Sequence, residues 1–162
     1  MGTRNLIILL SKSEREYHRK TAARCFNETW EYLEKKRRTR EEDLKMLQSA
    51  HASRYHWGIV GTPRNRAVGE WQISRVYAAL KQPRLSLLFA MSSLDACRRE
   101  NLTEILVPAY EGLARAHAVA RERSLARKYL KLAQKLLRTL DLESEDKRIY
   151  LGQIEDTAKM IH

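Results

Sequence analysis

Apolar residues return every three or four positions along almost the whole chain, while residues that interrupt helices are scarce, with 6 glycines and 3 prolines among 162. The spacing is that of amphipathic helices, each turning one face to a core. The scarcity removes the turn chemistry that a sandwich or barrel of short strands needs at every reversal. A chain of this length supports one domain with a sizeable core rather than two. The predicted fold class is therefore all-α, as a single domain over residues 1–162.

Breaks in the pattern fall at Thr39, Gly58 to Pro63, Lys81 to Pro83, Asn101 to Thr103, near Glu122, and Asp141 to Ser144. They delimit seven helices, over about 13–37, 41–57, 64–81, 84–100, 104–121, 123–140 and 144–161. Residues 1–12 are expected as a disordered N-terminal segment. The connections are short, so neighbouring helices fold back as antiparallel hairpins. Thr39-Arg-Glu-Glu42 fits a capping box, Pro83 suits a first helical residue, and Glu145 and Asp146 after Ser144 complement a helix dipole. If the fifth helix begins after Thr103, Pro108 lies inside it and kinks it, whereas a start near Val107 puts Pro108 harmlessly in the first turn; the longer, kinked helix is the expectation.

Two stretches align at an offset of 40: Ile73 with Leu113, Ser74 with Ala114, Tyr77 with His117, Ser86 with Ala126, Ala90 with Leu130, and Ser93 with Ala133. Small residues at these positions let the two helices of a hairpin approach closely. Tyr110, Leu113, Ala114, His117, Ala126, Leu130 and Ala133 stand at the spacings of the tetratricopeptide repeat, which the chain resembles over about residues 68–140. It departs from that pattern in its offset of 40 rather than about 34. It also carries Glu70 where a tryptophan is usual, with Trp71 one place later, and Lys81 and Arg121 where a turn glycine is usual. The segments Ala50 to Trp57 and Gly69 to Tyr77 also look like those of small uncharacterised bacterial proteins of this helical type. That second likeness implies a fold and no function. The repeat resemblance implies hairpins stacked as a right-handed superhelix, capped by the first hairpin and by helix 144–161. It also implies a concave groove for a protein or peptide.

The least generic stretch runs from His51 to Arg75. It suggests a pocket walled by Tyr55, Trp57 and Trp71, with polar contacts from His51, Glu70 and Arg75. The competing expectation makes the two tryptophans core anchors and Glu70 and Arg75 an ordinary ion pair. On one straight helix His51 and His56 project about 140° apart, so no metal site is expected. No phosphate-binding loop, dinucleotide-binding glycine pattern, nucleophile elbow or His-Glu-x-x-His motif occurs, and no cofactor and no catalytic activity are expected. Cys25 and Cys97 make neither a disulfide framework nor a zinc site, in keeping with a reducing compartment.

The formal net charge is +11. Two basic clusters stand out: Lys35, Lys36, Arg37 and Arg38, with acids before and after them, and the row Arg127, Lys131, Lys135 and Arg138. Either is suited to phosphates or to an acidic protein. The longest apolar run, Leu6 to Leu10, is too short for a signal core or for the roughly 20 residues that span a bilayer. The expected location is cytoplasmic, without a membrane partner. The function expected is a non-catalytic scaffold or adaptor that binds a protein or peptide in the groove. The alternatives are a nucleic-acid binder using the basic clusters and a small-molecule sensor or enzyme around residues 51–75. An open terminal face is compatible with a homodimer.

Overall fold

The structure, a computed structural model, describes residues 9–161; of the segment expected to be disordered, residues 1–8 lie outside the described residues. Seven helices follow one another: α1 (Lys12–Leu33), α2 (Arg40–Val60), α3 (Pro63–Ala79), α4 (Pro83–Arg99), α5 (Leu106–Val119), α6 (Arg123–Thr139) and α7 (Ser144–Ala158). A 3-10 turn over Thr103–Ile105 precedes α5, and no strand occurs among the described residues. None of these helices is long and apolar enough to cross a membrane.

Local sequence explains where the helices start. Capping boxes open α1, α2 and α3, made by Ser11 with Glu14, Thr39 with Glu42, and Thr62 with Asn65. In each, a side-chain oxygen takes up a first-turn N–H that has no intrahelical partner. Pro63 and Pro83 occupy first helical positions, where the missing N–H costs nothing. The kink expected at Pro108 does not form. α5 begins at Leu106, so Pro108 falls in its first turn, where no N–H is required.

The three central turns share one device. Lys81, Asn101 and Arg121, twenty residues apart, all take left-handed backbone angles, with φ of 58°, 54° and 63°. After each, the next N–H reaches back five residues: Gln82 to the Tyr77 carbonyl, Leu102 to Cys97 and Glu122 to His117, each at 2.9 Å. This is the Schellman closure, usually built around glycine. Here non-glycine residues are held in it by the packing on either side.

α1 with α2, α3 with α4, and α5 with α6 form antiparallel hairpins, and α7 closes the end against α5 and α6. The odd-numbered helices also touch one another in succession, α1 to α3 to α5 to α7. Among the described residues the even-numbered ones do not. The result is a continuous inner layer with α2, α4 and α6 set apart behind it.

Small residues make the crossings close. Ser74 and Ser86 exchange hydrogen bonds, each hydroxyl donating to the other's carbonyl oxygen at 2.9 Å. Ala114 and Ala126, forty residues on, are both fully buried at the corresponding crossing. The stacked pair Tyr77 and Phe89 is likewise matched by His117 and Tyr129, at ring separations of 5.5 and 5.4 Å. The first hairpin, expected as a cap, repeats the arrangement. Ser53 donates to the Ala22 carbonyl as Ser93 does to Ala67, both at 2.9 Å. Met46, Ala50 and Ser53 are buried forty residues before Ser86, Ala90 and Ser93.

The crossings and the turns give three expected outcomes. Replacing Ser74 and Ser86 together by alanine, the second hairpin's own solution, should change unfolding free energy by less than about 1 kcal/mol. Ser86→Leu should cost about 1–3 kcal/mol by overpacking the crossing, read by urea denaturation. Arg121→Gly should instead stabilise by about 1 kcal/mol, since it relieves a left-handed non-glycine residue.

Candidate functional site

The inner layer encloses a groove of about 1020 Å³. Its walls come from α1, α3, α5, α7 and the segments beside them: Phe26, Trp30 and Leu33; Val68, Trp71, Arg75 and Ala79; Pro108, Arg115 and Val119; Tyr150, Gln153 and Met160. The i, i+4 pairs Phe26 and Trp30, Trp71 and Arg75, and Glu111 and Arg115 each lie on one face of their helix. Aligning the helices by their serine crossings stacks these pairs one above another.

Beneath the groove floor lies Glu111, 1 % exposed. Its Oε2 accepts the Trp71 indole N–H at 3.0 Å. Its Oε1 accepts from Arg75 Nη1 at 3.1 Å, from Arg115 Nε at 2.9 Å and from the Thr157 hydroxyl. One carboxylate thus joins α3, α5 and α7. The tie reaches α1 through Arg75, whose guanidinium lies 5.2 Å from the Trp30 ring centroid and 5.3 Å from that of Trp71. Gly112 gives the Trp71 indole its room, since a Cβ there would meet Trp71 Cδ1 at 3.0 Å.

Burial alone would raise the Glu111 pKa, but Arg75 and Arg115, with hydrogen bonds from Thr157 and Arg115, outweigh it and hold the carboxyl at about 2. Burial pulls Arg75 downward, opposed chiefly by Glu111; a guanidinium stays charged regardless. Two cations against one anion leave the cluster electropositive towards the groove. Asp156 on the rim offsets part of this, though it is mostly exposed and pairs with Lys159 at 3.5 Å. Arg115 Nη2 is buried without a hydrogen-bond partner among the described residues, as is Gln153 Oε1.

Of the six residues singled out between positions 51 and 75, the structure brings together Trp71 and Arg75. The pairing weighed for Glu70 and Arg75 does not form. Glu70 faces away and binds Arg54 at 2.7 Å, in a separate hollow of about 570 Å³ beside Leu88 and Met91. His51 meets the Tyr77 hydroxyl at 3.2 Å and the edge of Phe89, and burial lowers its pKa. Tyr55 is 67 % exposed on α2, and Trp57 is half-buried near the end of that helix. His56 turns to His18 instead of His51, with the two Nδ1 atoms 2.7 Å apart. Burial, then the His18 charge, pushes the His56 pKa down. Among the described residues no group of three or more potential ligands could hold a metal. Cys25 and Cys97 are both buried and free, and burial raises the Cys97 thiol to about 11.

The basic clusters also part company. Lys35 pairs with Glu42, and Arg38 pairs with Asp43 at 2.7 Å, which leaves Lys36 and Arg37 exposed in the turn. Arg127, Lys131, Lys135 and Arg138 stand exposed on α6, on the opposite layer from the groove.

Sequence reasoning passed over Trp30, Glu111, Arg115 and Thr157. A signal for Glu111 was available, because it stands forty residues after Trp71, where the repeat places one residue next to the other. Fold and site together define an all-α array of helical hairpins with a buried ionic cluster under its inner groove. No protein-family model matches the chain, and neither a curated protein nor a solved structure matches it.

Glu111→Gln should lower the unfolding free energy at neutral pH by about 3–5 kcal/mol, because two buried guanidinium groups lose their counterion. The folded carboxyl titrates near 2 against an ordinary 4.5, so its stabilisation is full above pH 4.5 and is lost as pH falls towards 2. Thermal melts across that range should show wild type and Glu111→Gln converging at the acid end. A constant gap would refute the assignment.

Proposed function

We propose that the protein is a non-catalytic scaffold or adaptor that holds a peptide or an extended protein segment in the groove of its inner layer. The tetratricopeptide-like spacing supports this reading. The observation that carries it is the groove itself: four helices contribute aromatic and aliphatic walls, over a floor made cationic by Arg75 and Arg115. Apolar walls supply burial, and a few fixed polar groups orient an occupant. A peptide offers both complements, side chains for Trp30, Val119 and Met160, and carbonyl or carboxylate acceptors for Arg115. Helix edges in the array leave long surfaces of this kind open to a partner.

The test uses peptides selected from a displayed library of random short sequences, with affinities measured by calorimetry. Val119→Trp narrows the groove without touching the Glu111 cluster and should weaken selected peptides at least tenfold, about 1.4 kcal/mol. Tyr55→Ala, on α2, should leave them unchanged. Enriched sequences should be rich in apolar and acidic residues. Selected peptides that bind Val119→Trp as tightly as wild type would place the site elsewhere.

A further inference from the structure

We infer that the outer face of α6 is a docking surface for the phosphate backbone of nucleic acid, bound through charge and without base contacts. This rests on the charge layout of α6 and is independent of the groove. The helix carries Arg123, Arg127, Lys128, Lys131, Lys135 and Arg138 and not one acid. At about 100° per residue, all six fall within an arc of about 140°. The buried row Ala126, Leu130, Ala133 and Leu137 lies on the other side. Every one of the six is exposed, along a strip about 22 Å long.

Unpaired cations such as Arg24, Lys36 and Arg66 stand elsewhere too among the described residues, but α6 gathers six on one arc of one helix. Lys20, Lys35, Arg38, Lys45 and Arg54 are each paired with a carboxylate. Among the described residues none of the six on α6 is within ion-pair distance of one. The nearest acid in sequence, Glu122, is taken by His117 at 2.6 Å, and Lys128 rests over its neighbour Tyr129. Arg123 with Arg127, Arg127 with Lys131, and Lys131 with Lys135 are i, i+4 neighbours of like charge, which an isolated helix tolerates at a small cost. A polyanion laid along the strip removes that repulsion.

The chemistry of the arc selects the occupant. A membrane-surface helix inserts its apolar face, but that of α6 is already committed to the core. Protein interfaces are organised around buried aromatic or aliphatic anchors, and the arc has none; Leu125 and Leu132 lie at its edge. Phosphates spaced along a duplex require only cations and release counterions when bound. Between the cations on the arc stand only Ser124 and Gln134, so the strip presents charge and little else.

Fluorescence anisotropy with labelled DNA and RNA duplexes of about 20 bp, over about 50–200 mM salt, tests this. Binding to either duplex, falling steeply with salt and equal for a scrambled sequence, is expected. The variant R127Q/K131Q/K135Q should reduce the slope of log affinity against log salt by roughly 3. The variant R127K/K131R/K135R should keep the wild-type slope, as should K35Q/K36Q/R37Q, with melts confirming that each folds. No binding at the lowest salt, an unchanged slope in R127Q/K131Q/K135Q, or strong preference for one base sequence would overturn the inference. So would capture of polyglutamate or of phosphatidylserine vesicles in place of duplexes.

Discussion

A carboxylate buried as deeply as Glu111 is stable only where its charge is met, and meeting it determines where two other helices lie. Trp71 and Arg75 must approach from α3, Arg115 must fold back along α5, and the Thr157 hydroxyl must come down from α7. The hydrophobic seams behind this cluster supply most of the driving force for folding, since they bury far more area. Area burial is tolerant of sliding, however, whereas a carboxylate with four donors is not. The inner layer is therefore fixed in register by the ionic cluster and fixed in place by the core, and the groove inherits its shape from both.

The parts of this arrangement written locally were legible in the sequence. Seven amphipathic segments, the capping box at Thr39 and the forty-residue offset each depend on residues within a few turns of one another or on a simple period. Pro108 misled because its effect depends on where the helix starts, and the 3-10 turn at Thr103–Ile105 delays that start. The segment from His51 to Arg75 is contiguous in sequence but spans a hairpin-to-hairpin junction. Its residues consequently point to different layers: Trp71 and Arg75 inward, Glu70 towards Arg54, and Tyr55 to solvent. Trp30 and Thr157 reach the cluster from outside the aligned repeats, and nothing in their own neighbourhoods marks them.

Charge shows the same division between composition and placement. The net +11 does not distinguish a cation with a carboxylate beside it from one without. The cluster at Lys35 to Arg38 meets acids from the start of α2, so much of its charge is answered within the fold. On α6 the absence of any acid was readable from sequence, whereas its exposure on the layer opposite the groove required the structure. Two faces of one small domain thus differ in kind, one apolar with a buried ionic floor and the other an uninterrupted row of cations.

The equivalence between the two central repeats breaks at one informative place. Arg75 and Arg115 occupy the same position in successive units, but the residue four places earlier is Trp71 in one and Glu111 in the other. Were the units identical, stacking them would bring two guanidinium groups together with either two indoles or two carboxylates. The first would leave the positive charge unanswered, and the second would spend an acid where the aromatic surface against Trp30 belongs. This pair of neighbours therefore has a fixed order, and a tandem array of either unit alone would not close in the same way. The domain is a repeat protein in geometry and a heterodimer of repeats in its electrostatics.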